Sequence, residues 1–226
     1  LNDGKVRKRT IASCAVTSSI TIGSGGSAGR EGPTVQIGAA VGSTIGQLLH
    51  LSTERMRVLV GCGAAAGIAA SFNAPLAGVL FALEIILGDF TIHTFSPIII
   101  ASVIGTVTGR ALEGNEVTFN VPVHELVHPA EIIFYLALGM LCGIVARLFT
   151  FMYFYVQQVF EEKFSMPDLY KPAIGGLIVG IISIFIPQIL GNGYDVMEQA
   201  LTGQMFWGLA FLLVFMKIMC TSITLG

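Results

Sequence analysis

Long apolar blocks alternate with short polar stretches along this chain, and that rhythm predicts membrane-crossing helices rather than a soluble core. Residues 10–22 read as an apolar, β-branched helix entered from the basic run Lys5, Arg7, Lys8, Arg9. A glycine-rich turn follows, then a helix from Pro33 to about Leu49, with Gly32 and Pro33 as its start because proline suits the first helical position. The polar stretch His50–Arg57 reads as a surface loop. In residues 60–87 small residues permit close helix approach, and the break at Asn73-Ala74-Pro75 predicts two short helices joined at depth. Further spans are expected from about Phe95 to Leu112, from Ala130 to Phe160, over 172–190 and over 205–225. Glu113–Pro129 and Glu161–Lys171 read as loops, and the polar, Gly-rich "LGNGYDVMEQALTGQ" separates the last two apolar segments. The pattern is that of one membrane domain of tilted and broken helices.

Composition sharpens this reading. Of the 226 residues 54% are hydrophobic and 12% charged, and a net charge of −2 gives no footing for a nucleic-acid partner. The basic run marks topology, so that end is read as cytoplasmic. Cys14, Cys62, Cys142 and Cys220 stand singly in apolar surroundings, a pattern of neither a disulfide framework nor a metal site. The sequence opens on Leu1 and closes on Gly226 within a segment, so it reads as an excerpt of a longer protein. Thr17–Gly23 weakly echoes Cys220–Gly226, as expected of an internal repeat in a transporter fold.

The charged turn "GSGGSAGREGPTVQIG", residues 23–38, carries the candidate chemistry. A dinucleotide loop fits Gly23, Gly25 and Ala28 loosely, but it requires a soluble βαβ unit. Gly25-Gly26-Ser27-Ala28-Gly29 matches the serine-hydrolase pattern G-x-S-x-G, which would make Ser27 a nucleophile. That chemistry needs a histidine in reach, and His50, His93, His124 and His128 all fall in or beside predicted loops. The third reading is an anion site. A helix N-terminus aims unpaired N–H groups at an anion, glycines let it approach, and oriented amides release it more readily than full charges would. Glu31 at that terminus would occupy the anion's own position and vacate it on protonation. Against this stands the reading of Arg30 and Glu31 as a plain surface pair.

"GREGPTVQIG" (29–38) and "GAAAGIAASFNAPLAGVLFALE" (63–84) closely resemble the CLC family of chloride channels and chloride/proton exchangers. The resemblance covers the whole chain, which corresponds to about the middle half of a family membrane domain. It implies an all-α polytopic membrane protein with an antiparallel, inverted-repeat architecture of tilted and broken helices. Residues of about 1–112 would be the latter part of the first repeat and about 130–226 the early part of the second. The implied activity is chloride transport, as a voltage- or proton-gated channel or a loosely coupled carrier, with chloride/proton antiport as the alternative. Enzyme chemistry, a cofactor and a metal are not implied.

By the same resemblance Glu31 is the gating and proton-carrying glutamate. Gly29, Arg30, Glu31, Gly32 and Pro33 form the outer anion site through backbone amides and the helix N-terminus, and Arg30 adds positive potential at the entrance. Family elements before Leu1 and after Gly226 would complete the site. Proton-coupled members commonly carry a second glutamate where this chain has Ile85. Glu84, which precedes it, is the candidate for an inner proton route in its place, but a helical neighbour points about 100° away. The competing reading of Glu84 is a structural or interfacial residue at the end of a span. A homodimer in the bilayer is implied, with Leu76–Ile86 and Pro97–Leu112 near its interface, and in a prokaryote the cell membrane is the expected location. Lys217, the other charge inside an apolar span, reads either as snorkelling to the interface or as attracting anions to the inner vestibule. Asn73 and Asn192 read as helix-break residues.

Overall fold

A computed structural model describes residues 4–114, 128–162, 167 and 170–226. Among these residues the structure is helical throughout, without strands. The helices are α1 (Arg9–Gly23), α2 (Glu31–Leu48), α3 (Thr53–Phe72), α4 (Pro75–Phe81), α5 (Ile92–Glu113), α6 (Glu131–Glu162), α7 (Lys171–Phe185), α8 (Tyr194–Leu201) and α9 (Trp207–Leu225). A π-helical turn, Ala82–Leu87, continues α4, and a 3-10 turn, Pro187–Ile189, follows α7. α3, α5, α6 and α9 are each long and apolar enough to cross a membrane. α6, with 32 residues, extends about 48 Å at 1.5 Å per residue, more than the roughly 30 Å of hydrocarbon, so it must tilt or project. The protein is an all-α polytopic membrane protein.

The chain divides into two compact units. One comprises Leu1–Ile20 with Gly29–Thr118, the other Thr21–Ala28 with Phe119–Gly226. α1 therefore contributes to both, and the boundary also cuts the glycine-rich turn between Ala28 and Gly29.

In the first unit α2 and α3 run antiparallel and touch backbone to backbone. A Cβ added at Gly63 would collide with the Gly38 carbonyl, one at Gly38 with the Gly63 carbonyl, and one at Gly42 with Leu59 O. Such approach is the use to which membrane helices put small residues. α5 runs parallel to α3, with Gly105 against Ala66 and Gly109 against Ala70. α4 and the π turn fold back along α3, closing a core of Cys62, Ala65, Val79, Ala82, Leu83 and Ile98. Buried hydroxyls stitch the break: Ser102 Oγ donates to Pro75 O (2.6 Å) and Thr106 Oγ1 to Ala69 O (3.3 Å).

The N-terminal strap is clamped by one buried hydroxyl. Ser43 Oγ donates to Gly4 O (2.7 Å) and accepts from Val6 N (2.8 Å), while Gln47 Nε2 donates to Val6 O (2.8 Å). Ser43 is fully buried. Replacing it with alanine leaves the Val6 N–H without its acceptor, a cost of about 1–3 kcal/mol. Trypsin is expected to cut the Lys5–Arg9 stretch of the Ser43→Ala full-length protein several-fold faster than wild type. An unchanged cleavage rate would mean the strap is held by other contacts.

In the second unit α9 packs on α6 and α7, and Val179, Ile189, Leu213 and Cys220 form the core.

Several expectations need correction. α2 starts at Glu31, not at Pro33, because Arg30 O already accepts from Thr34 N (3.1 Å) and closes the first turn. Pro33 is tolerated as the third helical residue, where its missing N–H falls among the unpaired groups of the first turn. The loop expected at His50–Arg57 ends at Ser52. Its charged half is the exposed first turn of α3, polar because it projects from the end of the span. Residues 60–87 are not two short helices. α3, with 20 residues, is long enough to cross by itself, and Asn73, in the left-handed region with φ 53°, ends it before Pro75 starts α4. The apolar segment 172–190 ends as a helix at Phe185, and the polar linker after it contains α8. Residues 115–127 of the first predicted loop, His124 included, and most of the second lie outside the described residues.

Candidate functional site: the mouth of α2

The turn is built in two parts. On the second-unit side, Gly25 (φ 94°) donates its N–H to Ile22 O and Gly26 to Thr21 O, folding the chain back over the end of α1. A Cβ at Gly26 would stand 2.6 Å from Thr21 O and 3.2 Å from Thr224 Cγ2. Ser27 is fully buried, its Oγ 3.1 Å from Thr221 Oγ1. The two echoing segments thus adjoin here, through Thr21 of one and Thr221 and Thr224 of the other. Among the described residues the side-chain partner of Ser27 Oγ is the Thr221 hydroxyl and not a histidine.

On the first-unit side, Glu31, Gly32 and Pro33 are the first three residues of α2. The N–H groups of Glu31 and Gly32 have no acceptor within the helix, and Pro33 has no N–H to offer. Of the five residues expected to line the site, Gly29, Arg30, Glu31 and Gly32 carry a backbone N–H and Pro33 does not. The Glu31 side chain is exposed but folds back onto its own helix end. An added Cβ at Gly29 would fall on Oε2, so the carboxylate occupies the space that only a glycine leaves open. A negative charge over a positive helix end is favourable by about 0.3–1 kcal/mol at an exposed site.

Arg30 takes a different direction. Its Nη2 donates to Ser71 O (3.0 Å), and its guanidinium lies 5.8 Å from the centre of the Phe72 ring. The cation thus serves the carbonyl end of α3, where positive charge is favoured. Arg110 of α5 reaches the same helix end, Nε donating to Asn73 Oδ1 at 2.5 Å. Sequence reasoning missed Arg110, which lies 37 residues from its partner.

Glu84 and Ile85 sit in the π turn, both exposed, while Ala82 and Leu83 point into the core. The wider turn ends at Gly88 (φ 65°), whose N–H reaches Leu83 O (2.8 Å). In the first unit the strap and the starts of α3 and α5 share one end, while Glu31, Asn73 and Arg110 share the other. Lys5, Arg7, Lys8, Arg9, Arg55 and Arg57 gather at the strap end, opposite Glu31, an excess of the kind that the positive-inside rule associates with a cytoplasmic face.

Lys217, in the second unit, is half-buried and lines a cavity of about 370 Å³ together with Gln188, Asn192 and Gly193. Nζ donates to Ile189 O (2.9 Å) and Gly191 O (2.7 Å), filling the place of a cap after the 3-10 turn. Lys217→Met would leave two carbonyls without this donor. It is expected to destabilise the full-length protein in detergent by about 2–3 kcal/mol, read as a lower melting temperature. An unaltered melting temperature would show the turn to be held without the lysine.

The sequence matches the family described as voltage gated chloride channel over residues 1–226. It is 34% identical over 230 residues to a ClcB-like chloride channel protein of Ralstonia nicotianae, an overlap of 100% of this chain and 53% of that protein. It is 31% identical over 212 residues to the H(+)/Cl(-) exchange transporter ClcA of Vibrio cholerae, covering 91% of this chain and 45% of that one. Among solved structures, a slow cyanobacterial Cl−/H+ antiporter superposes with a TM-score of 0.82 at 25% identity, over 96% of this chain and 52% of the antiporter. The chain spans about half the length of the curated relatives it matches.

Proposed function

The chain belongs to the voltage-gated chloride channel family, and on that premise we propose that the whole protein carries chloride across a membrane through a path that passes the start of α2. The observation that carries this reading is the Glu31 carboxylate folded over Gly29 at the N-terminus of α2. A carboxylate there imitates the bound anion. When ionised it competes with chloride for the amides of Glu31 and Gly32; when protonated it loses its hold and the anion takes its place. One side chain then both gates the path and carries a proton from the outer side. The relatives named above are a chloride channel protein and an H(+)/Cl(-) exchange transporter, in keeping with this substrate.

The favoured mode is a channel or loosely coupled carrier, because Ile85 has no ionisable group with which to pass a proton inward. Exchange is the second reading, favoured by Glu84, which is exposed on the adjacent π-helical position and is available as a substitute. The division of the chain into two units and the adjoining echo segments support an internal repeat, with the remainder of the site supplied by the rest of the protein. The outward-facing Leu76, Leu80, Ile100, Ile104 and Val107 support a homodimer formed through α4 and α5.

The test is chloride efflux from liposomes containing the full-length protein, with external pH recorded in the same trace. Chloride flux without linked proton movement supports the channel or uncoupled mode. Protons driven uphill by the chloride gradient support exchange, and no chloride flux at all overturns the proposal.

A further inference from the structure

The strap end of the first unit gathers positive charge around a groove that the transport reading leaves unused. The Ser43 and Gln47 clamp fixes the strap on α2, and Gly4 packs on the first turn of α3, a Cβ there standing 3.0 Å from Met56 Cγ and 3.3 Å from Arg57 N. Lys5, Arg7, Lys8 and Arg9 are thereby held at the same end as Arg55 and Arg57, all of them exposed. Among the described residues the acids toward this end are Glu54, Asp89 and, in the π turn that leads to it, Glu84; Asp89 already accepts from Thr91 N and Thr91 Oγ1, both at 3.1 Å. Cations therefore dominate this end of a chain whose overall formal charge is −2.

Between the first turns of α3 and α5 lie two adjoining cavities of about 540 and 570 Å³, which share Glu54, Val58 and His93. The larger is lined by the polar Glu54, Arg55 and His93 and by the apolar Leu51, Val58, Leu59 and Pro97. Leu48, Leu49 and Ile92 stand exposed near the same helix ends. The lining itself balances Arg55 and Arg57 against Glu54 and Asp89. A groove that grades from polar to apolar where a span meets the interface has the polarity profile of a phospholipid, and the excess positive charge that the strap places around it selects an anionic headgroup.

We propose that this groove binds an anionic phospholipid of the cytoplasmic leaflet, its phosphate on Arg55 and its acyl chain along Val58, Leu59 and Pro97. Arg57 and the strap supply the surrounding positive field. The site depends only on the protein lying in a membrane, not on Glu31 acting as a plug, so a binding measurement tests it separately from transport.

The full-length protein in neutral detergent is titrated with phosphatidylglycerol, with phosphatidylcholine and with soluble glycerol phosphate, and bound lipid is counted by native mass spectrometry. Phosphatidylglycerol is expected to bind more tightly than phosphatidylcholine and to resist displacement by glycerol phosphate. Arg55→Gln combined with Arg57→Gln should weaken its binding about thirtyfold, from roughly fivefold per cation, with phosphatidylcholine binding and melting temperature unchanged. Should that variant not fold, Lys5→Gln with Lys8→Gln, on the exposed strap, should weaken phosphatidylglycerol binding in the same direction. Equal binding of the two lipids, displacement by glycerol phosphate at matched concentration, or wild-type affinity in the folded variants would each overturn the proposal.

Discussion

Glu31→Gln is expected to abolish the dependence of chloride flux on external pH and any proton movement coupled to it, leaving chloride flux itself in place. Glutamine keeps the size and shape of the side chain but cannot ionise, so the helix end of α2 no longer holds it as a competitor of the anion. A carboxylate at an exposed helix N-terminus is worth about 0.3–1 kcal/mol, so its removal changes how often the plug is seated by up to roughly fivefold. The measurement is the initial rate of chloride efflux from liposomes across a range of external pH, for wild type and variant at equal protein density. A variant whose flux follows pH as the wild type does would remove Glu31 from the gate. A variant with no chloride flux would instead make the carboxylate part of the conducting path.

The second large effect is structural. Gly63→Val should prevent α2 and α3 from meeting, since its Cβ alone would collide with the Gly38 carbonyl and its methyls have nowhere to go. Neither partner can give way by rotating a side chain, because the obstruction is backbone. Separation of the two helices would also pull Thr34 O from Gly67 and Ser71 Oγ from Thr34 Oγ1, contacts that hold the start of α2 against α3. The cost is expected to be about 3 kcal/mol or more, at the top of the range for overpacking. It should appear as a lower melting temperature and a loss of folded full-length protein after purification. Gly139→Val in α6, where an added Cβ meets nothing within 4 Å, is the control expected to be tolerated. Wild-type stability of Gly63→Val would mean that the helices cross farther apart than the structure has them.

The sequence by itself determined the class of protein and most element positions. Apolar block length is a local property that answers directly to bilayer thickness, so the spans beginning near residues 95, 130 and 205 were legible. The break at Asn73-Ala74-Pro75 was legible for the same reason, since left-handed asparagine and a helix-starting proline act through their own backbone. Helix ends were less so. The charged first turn of α3 looks like a loop because hydropathy reports where water begins, not where the helix begins.

Only the tertiary structure decided where the charges went. A long cationic side chain binds whichever carbonyls the fold leaves unpaired, and those belong to distant residues: Arg30 to Ser71, Arg110 to Asn73, Lys217 to Ile189 and Gly191. The position of the Glu31 carboxylate over Gly29 also depends on where α2 starts, two residues before the proline that seemed from the sequence to begin it. Motif and hydropathy name the residues of such a site, whereas its geometry is set by packing between elements far apart in the chain.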